Sequence, residues 1–213
     1  MTPLRCSRLA ELSWVDHGFG TRHDGAWTPP ERTVKLRQVH GAGVVGVAVP
    51  GEHGEGDALI TAAPDVWLEV RTADCVPLLL ADPVRRVVAA VHAGWRGTAA
   101  SIGRITVEGL CAKWGSKPGD LHVAIGPCIG PCCFAVGEDV ASQFPGHLSQ
   151  SAPKPHVDLV NANRQQLIAA GVQPAMIESL DLCTVCDPAR FHSFRRNRGP
   201  GRMIAAIRIR PLE

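Results

Sequence analysis

The apolar positions of this chain fall into many short runs, and the spacing of the breaks between them predicts strands. Between Thr33 and Val91 the β-branched and aliphatic runs predict six strands: 33–39, 43–49, 57–61, 66–71, 77–81 and 86–91. The breaks fall at Gly41, Pro50-Gly51, Pro64-Asp65, Pro77 and Asp82-Pro83. Residues 15–21 read as an earlier strand, followed by a loop ending in Pro29-Pro30. A helix is predicted over 98–114, stopped by Gly115 with Pro118 beyond it. A strand at 121–125 leads into Gly126-Pro127-Cys128-Ile129-Gly130, and a short helix is expected at 138–144. A longer helix at 158–170 has Asp158 as its cap, apolar Leu159, Leu167 and Ile168, and Gly171 at its end. Strands at 176–180 and 203–209 close the chain, and the Pro-, Ser- and Gly-rich stretch 145–156 reads as a loop. There is no internal repeat. Many strands with a few helices predict one α/β domain over 1–213, a mixed β-sheet covered by helices.

Composition narrows the class. Of 213 residues, 45% are hydrophobic and 20% charged, which fits a soluble, ordered domain with a sizeable core. A net charge of +2 gives no footprint for nucleic acid or a membrane surface. No apolar stretch is long enough to span a bilayer, and the residues after Met1 lack the core of a signal peptide. A cytoplasmic protein is therefore expected. Its eight cysteines read as free thiols, metal ligands or catalytic groups rather than a disulfide framework.

Candidate chemistry sits where three apolar runs end. His40 follows Val34 to Val39, Cys75 follows Val66 to Asp74, and His92 follows Val87 to Val91. Any one of them alone reads as a buried strand-end residue with a satisfied hydrogen bond. As a set they sit at strand termini against Gly or Asp, where function concentrates in α/β sheets. If the three strands lie side by side, the residues meet at one sheet edge. Two imidazoles and a thiolate suit zinc, and three protein ligands leave a fourth position open for water or substrate. Such a set also accepts copper.

Neighbouring residues add to this. Asp74 is placed to orient a ligand or act as acid/base, or else simply caps a turn. His92-Ala93-Gly94-Trp95-Arg96-Gly97-Thr98 reads as a strand-to-helix turn, where helix N–H groups and Arg96 would favour a phosphate-sized anion. Cys128, Cys132 and Cys133 lie in a Gly/Pro-rich turn, and Cys183-Thr184-Val185-Cys186 is a C-x-x-C. A Cys₄ zinc site and a redox pair are the sharper readings, though no βαβ context accompanies the Asp187-Pro188 helix-start signature, and small buried thiols are the stronger reading for most of these five. Phe191-His192-Ser193-Phe194-Arg195-Arg196 and Arg202 combine aromatics with arginines, which suits a nucleobase or phosphate. From spacing alone, a solvated basic loop is the stronger reading of that segment.

Five motifs in order resemble one family. Gln38-Val39-His40-Gly41, Gly56-Asp57-Ala58-Leu59-Ile60-Thr61, Thr72-Ala73-Asp74-Cys75-Val76-Pro77, Val91-His92-Ala93-Gly94-Trp95-Arg96-Gly97-Thr98 and Ile125-Gly126-Pro127-Cys128-Ile129-Gly130 are similar to the YfiH-like, or laccase-domain, family. Asp181-Leu182-Cys183-Thr184, Phe194-Arg195-Arg196 and Gly201-Arg202 fit its C-terminal motif, so the resemblance runs from about Gly18 to Arg208. It implies a mixed α/β fold and a zinc held by His40, Cys75 and His92. It further implies phosphorolysis of adenosine, inosine and S-methyl-5'-thioadenosine with inorganic phosphate, and adenosine deamination. Asp74 and Arg96 would then be catalytic, and Arg22, Asp57, Arg195 and Arg196 would contact substrate. An editing role on cell-wall peptide precursors has also been proposed for bacterial members.

The chain departs from the family between Thr21-Arg22-His23-Asp24-Gly25 and the Gln-Val-His motif, where only Ala26 to Lys35 bridges a normally long segment. Phe194 stands where relatives often have Tyr. Two other enzyme classes use the same residues. A copper phenol oxidase would need further histidines in His-x-His pairs, and none of the nine histidines is two residues from another. A cysteine hydrolase would use Cys75 with His92 or His40 as base. A nucleotide-binding module without turnover is the non-catalytic alternative. Oligomeric state is left open by the sequence.

Overall fold

The computed structural model describes residues 3–149 and 154–211. Its strands are β1 (Val15–Phe19), β2 (Thr33–Arg37), β3 (Val44–Gly46), β4 (Gly51–Glu55), β5 (Ala58–Thr61), β6 (Trp67–Thr72) and β7 (Val76–Asp82). They continue with β8 (Val87–Ala93), β9 (His122–Ile125), β10 (Leu148–Ser149), β11 (His156–Val157), β12 (Ile177–Ser179) and β13 (Met203–Ile209). The helices are α1 (Ser7–Ala10), α2 (Trp95–Ala99), α3 (Ile102–Trp114), α4 (Glu138–Ala141), α5 (Leu159–Ala169) and α6 (Phe194–Asn197).

The strands form two mixed sheets where one was expected. One has the order β1-β13-β6-β2-β4 and the other β12-β9-β7-β8-β5-β3. Alternation explains how they stack. In β7 and β8, Leu78, Leu80, Val87, Ala89 and Val91 belong to a core shared with Ile102, Val107 and Leu110 of α3 and Leu167 of α5. The intervening Leu79, Ala81, Val88 and Ala90 belong to a second core with Val34, Leu68, Val70, Ala205 and Ile207 of the other sheet. Both faces of β7 and β8 are thus buried, so these strands read as continuous apolar runs. The result is three layers: sheet, sheet, helices. Trp67 and Ile204 face outward on the far sheet under Trp27.

Several boundaries differ from expectation for identifiable reasons. The helix expected over 98–114 is two helices, broken where Ser101 takes a left-handed φ of 61°. Helix α5 supports the break: the Gln166 amide donates at 2.8 Å to the Thr98 carbonyl, which also accepts the Ser101 N–H at 2.9 Å, and Asn163 donates to the Thr98 hydroxyl at 3.0 Å. Strand β4 lies on the Gly51 side of an expected break; as an exposed polar edge it carries no apolar alternation. Strands β10 and β11 form a short antiparallel pair that falls largely within the expected loop 145–156 and ends at Val157; part of that loop lies outside the described residues. Asp187-Pro188 opens a turn, not a helix, and the short helix α6 follows instead, with Ser193 as its cap. Asp158 caps α5 as expected, accepting from the Asn161 N–H.

Candidate metal centre

His40, Cys75 and His92 converge, at the seam between the two sheets rather than at one sheet edge. His40 follows β2, in the five-stranded sheet. His92 is the penultimate residue of β8, in the six-stranded sheet. Cys75 lies on the connection that crosses from β6 in one sheet to β7 in the other. One ligand atom from each lies within 4.8 Å of the other two, a group able to hold a metal ion. The two imidazole rings meet edge to face, centroids 4.8 Å apart.

Gly94 forms the floor of this group. A Cβ built there would sit 3.1 Å from Cys75 Sγ and 3.1 Å from His40 Cδ2, with His92 Cε1 at 3.8 Å. The space over Gly94 is therefore the space the three donors share. Donor chemistry and cradle together fit a zinc- or copper-sized ion.

Asp57 organises the donors from behind. Wholly buried, its carboxylate accepts from the N–H groups of Val39, His40 and Gly41 at 3.3, 3.0 and 2.7 Å. It also bonds His92 Nδ1 at 2.8 Å, leaving Nε2 as the ring nitrogen available to a ligand-binding role. The loop it holds includes His40 in a left-handed conformation, φ 58°. Burial alone would raise the Asp57 pKa, but His92 and the Gly41 and His40 N–H groups hold it below the usual carboxylate range. Burial would lower the His92 pKa, yet Asp57 and Cys75 lift it to about 9. Burial would raise the Cys75 thiol, but hydrogen bonds from His40 and His92 bring it to about 7. A thiol held in this way has thiolate character near neutrality.

The other expected site residues divide into two groups. Asp57, expected to contact substrate, is enclosed, and its carboxylate is taken up by the His40 loop and His92. Asp74, expected as an acid/base, is also committed: Oδ1 accepts from Thr184 Oγ1 at 2.6 Å, and Oδ2 from Ser193 Oγ at 3.1 Å and the Arg195 N–H at 2.6 Å. Arg196, expected to contact substrate, instead donates to the carbonyls of Thr184, Val185 and Phe191 at 2.9, 3.1 and 2.8 Å. These two charges fasten the C-terminal turns together. Arg96 is exposed and stacks on Trp95 at 4.3 Å, in a helix of only five residues whose start packs against the Gly41 carbonyl. Arg22 and Arg195 are exposed, donating to the carbonyls of Pro188 and Ala135 at 2.8 and 2.7 Å. Gly94 and the Thr184–Asp74–Ser193 clasp were not anticipated. A glycine two residues past a candidate ligand was the available signal for the first.

Comparison with known proteins fits this geometry. The family model described as multi-copper polyphenol oxidoreductase laccase matches residues 21–210. The chain belongs to that family. A purine nucleoside phosphorylase of Deinococcus radiodurans is 45% identical over 179 residues, 81% of this chain and 68% of that protein. The purine nucleoside phosphorylase YlmD of Geobacillus stearothermophilus is 39% identical, covering 84% and 73%. An adenosine deaminase of an unknown prokaryotic organism is 39% identical, covering 66% and 56%. Among solved structures, the hypothetical protein YfiH of Bacillus licheniformis superposes with a TM-score of 0.88 at 28% identity, 94% of each chain aligned. The Geobacillus YlmD structure superposes equally, TM-score 0.88 at 33% identity, covering 94% and 93%. The mixed α/β architecture is thus that of YfiH and YlmD. Among the described residues no helix is long and apolar enough to cross a membrane.

Proposed function

We propose that this protein is a zinc-dependent purine nucleoside phosphorylase of the cytoplasm, acting on adenosine, inosine and S-methyl-5'-thioadenosine, with adenosine deamination as a second activity. The observation that carries the proposal is the convergence of His40, Cys75 and His92 over Gly94. Relatives named for phosphorolysis and deamination of nucleosides support the choice of reaction. Zinc held by His40, Cys75 and His92 would supply a Lewis acid at this site.

The chain's own residues do the rest. Asp57 fixes the His92 tautomer and holds the His40 loop, so the donors stay preorganised without substrate. Asp74 and Arg196 keep the C-terminal turns in place around the centre. The exposed Arg96, Arg22 and Arg195 are the cations we assign to phosphate and substrate. In phosphorolysis a phosphate oxygen bonds to ribose C1′ as the C1′–purine bond breaks, and the purine leaves with the electron pair and takes up a proton. In deamination a water oxygen replaces the C6 amino group, which leaves as ammonia.

The test is a product assay on metal-replete protein. Free base and ribose 1-phosphate should appear only when both nucleoside and phosphate are present, and His92→Ala should abolish both products. Base release that ignores phosphate, or none at all, overturns the proposal. One observation favours a second reading: Asp57, His92 and Cys75 also form a carboxylate–imidazole–thiol relay of the kind a cysteine hydrolase uses. Cys75→Ser separates the two, because the phosphorylase reading requires metal and activity to fall together.

A further inference from the structure

A second group of ligand atoms shares no residue with the first centre. Cys132 and Cys133 lie in the turn after Gly130-Pro131, and Cys183 and Cys186 in the turn that follows β12. A bridge between Cys128 and Cys183 sets these turns together, with the Cys128 N–H on the Leu182 carbonyl at 3.1 Å and the Thr184 N–H on the Cys128 carbonyl at 2.9 Å. Cys186 Sγ is 3.6 Å from Cys132 Sγ and 3.4 Å from Cys133 Sγ. All four sulfurs lie within 4.8 Å of one another.

That spacing matches shared coordination. Sulfurs at the corners of a tetrahedron, each about 2.3 Å from a central zinc, sit about 3.8 Å apart. A disulfide would need about 2.05 Å and would join only two of them. Packing does not account for the group either. Cys128 is buried like an ordinary small apolar residue, whereas Cys132 and Cys186 are exposed and Cys133 and Cys183 half-buried. The backbone also points donors at sulfur: the Gly130 N–H reaches Cys183 Sγ at 3.3 Å, and the Val185 and Cys186 N–H groups are directed at the same atom. Amide donors around a thiolate orient and support it as a metal ligand.

We propose that Cys132, Cys133, Cys183 and Cys186 hold a second zinc ion in a closed, four-thiolate structural site. Four protein ligands leave no open position, so this ion takes no direct part in the reaction. Its effect is to tie the turn at 130–133 to the turn at 183–186. Thr184, between two of the ligands, donates to Asp74, the neighbour of Cys75. Arg196 caps the Thr184 and Val185 carbonyls of the same turn. The second ion therefore braces the turn against which the first centre is built. The assignment does not depend on the activity proposed above.

The test is elemental analysis of protein purified with zinc and a thiol reductant. We expect two zinc ions per wild-type chain, one in His40→Ala/Cys75→Ala, and one in Cys183→Ser/Cys186→Ser. If the last variant does not fold, the first still decides. In His40→Ala/Cys75→Ala, cobalt substituted for zinc should show sulfur-to-cobalt charge transfer and the strong bands of a tetrahedral field. That variant should also hold its four clustered thiols unreactive until a chelator is added. A His40→Ala/Cys75→Ala protein that is folded but metal-free, with those thiols titrating at once or joined as a disulfide, overturns the site.

Discussion

Replacing Asp57 by Asn tests whether one buried carboxylate sets the geometry of the first centre. The substitution keeps shape and removes charge, and neither amide orientation satisfies all partners. With the amide oxygen on the Oδ1 side, the new NH₂ group faces the N–H groups of Gly41 at 2.7 Å and Val39 at 3.3 Å, donor against donor. With the amide flipped, NH₂ faces the His40 N–H at 3.0 Å and His92 Nδ1 at 2.8 Å. His92 can accept there only by carrying its proton on Nε2, the nitrogen a metal needs unprotonated. A buried donor left unsatisfied costs about 1–3 kcal/mol. If that cost falls on the bound arrangement, it corresponds to roughly a 10- to 100-fold loss of metal affinity, the usual effect of losing a partner behind a ligand. Competition of the folded variant with a chromophoric chelator measures it. Zinc affinity at the first site within about twofold of wild type, well below that range, would refute the argument that Asp57 positions His40 and His92.

Further predictions follow from single contacts. Gly94→Ala should reduce metal occupancy of the first site in elemental analysis while leaving the fold intact, because its Cβ enters at 3.1 Å from both Cys75 Sγ and His40 Cδ2. Arg96→Ala should raise the Michaelis constant for phosphate more than that for nucleoside in steady-state assays, since the lost contact is to the anion. His17 is buried with Nδ1 unpartnered, and burial with the nearby Arg5 charge lowers its pKa from 6.5 to about 4. The unfolded chain therefore binds a proton below about pH 6.5 that the fold refuses until about 4, so stability should fall across that window by up to roughly 3 kcal/mol. Urea unfolding at neutral and mildly acidic pH checks this, and His17→Gln should flatten the dependence. The short bridge from Ala26 to Lys35 predicts slow phosphorolysis with a poor Michaelis constant for adenosine and inosine, because an open site keeps water. Micromolar nucleoside binding by a monomer, seen by calorimetry, would contradict it.

What was legible in the sequence was what local patterning controls. The runs that became β5, β6, β7, β8, β9 and β13 are apolar and ended by Gly, Pro or Asp, so their existence could be read directly. Periodicity could not say that they divide between two sheets, because a strand buried on both faces looks the same in either. Strand β4 was invisible because an exposed edge selects polar residues. The break at Ser101 is supported by side chains of α5 more than sixty positions away. The three donors were legible as run-ending His and Cys residues. The roles of Asp57, Asp74 and Arg196 were not, since a charged residue near a site reads equally as a substrate contact or a scaffold, and only the hydrogen-bond partners separate the two.

The seam location explains why so much of the surrounding polar structure is structural. His40 comes from one sheet and His92 from the other, so no single strand register fixes their separation. Something must couple the sheets locally, and Asp57 does so: it sits at the start of β5 beside β8, yet its carboxylate grips the loop that leaves β2. Cys75 arrives on the connection from β6 to β7, held in turn by the Asp74 clasp to Thr184 and Ser193. A charged residue buried for this purpose must be answered by hydrogen bonds, which is why Asp57 has four and Asp74 three. Under the function proposed above, the exposed Arg22, Arg96 and Arg195 are the residues assigned to meet a substrate. Variation in substrate preference within this architecture should accordingly arise at those positions and in the bridge before β2, while changes at Asp57 or Asp74 should weaken the metal centre for every substrate alike.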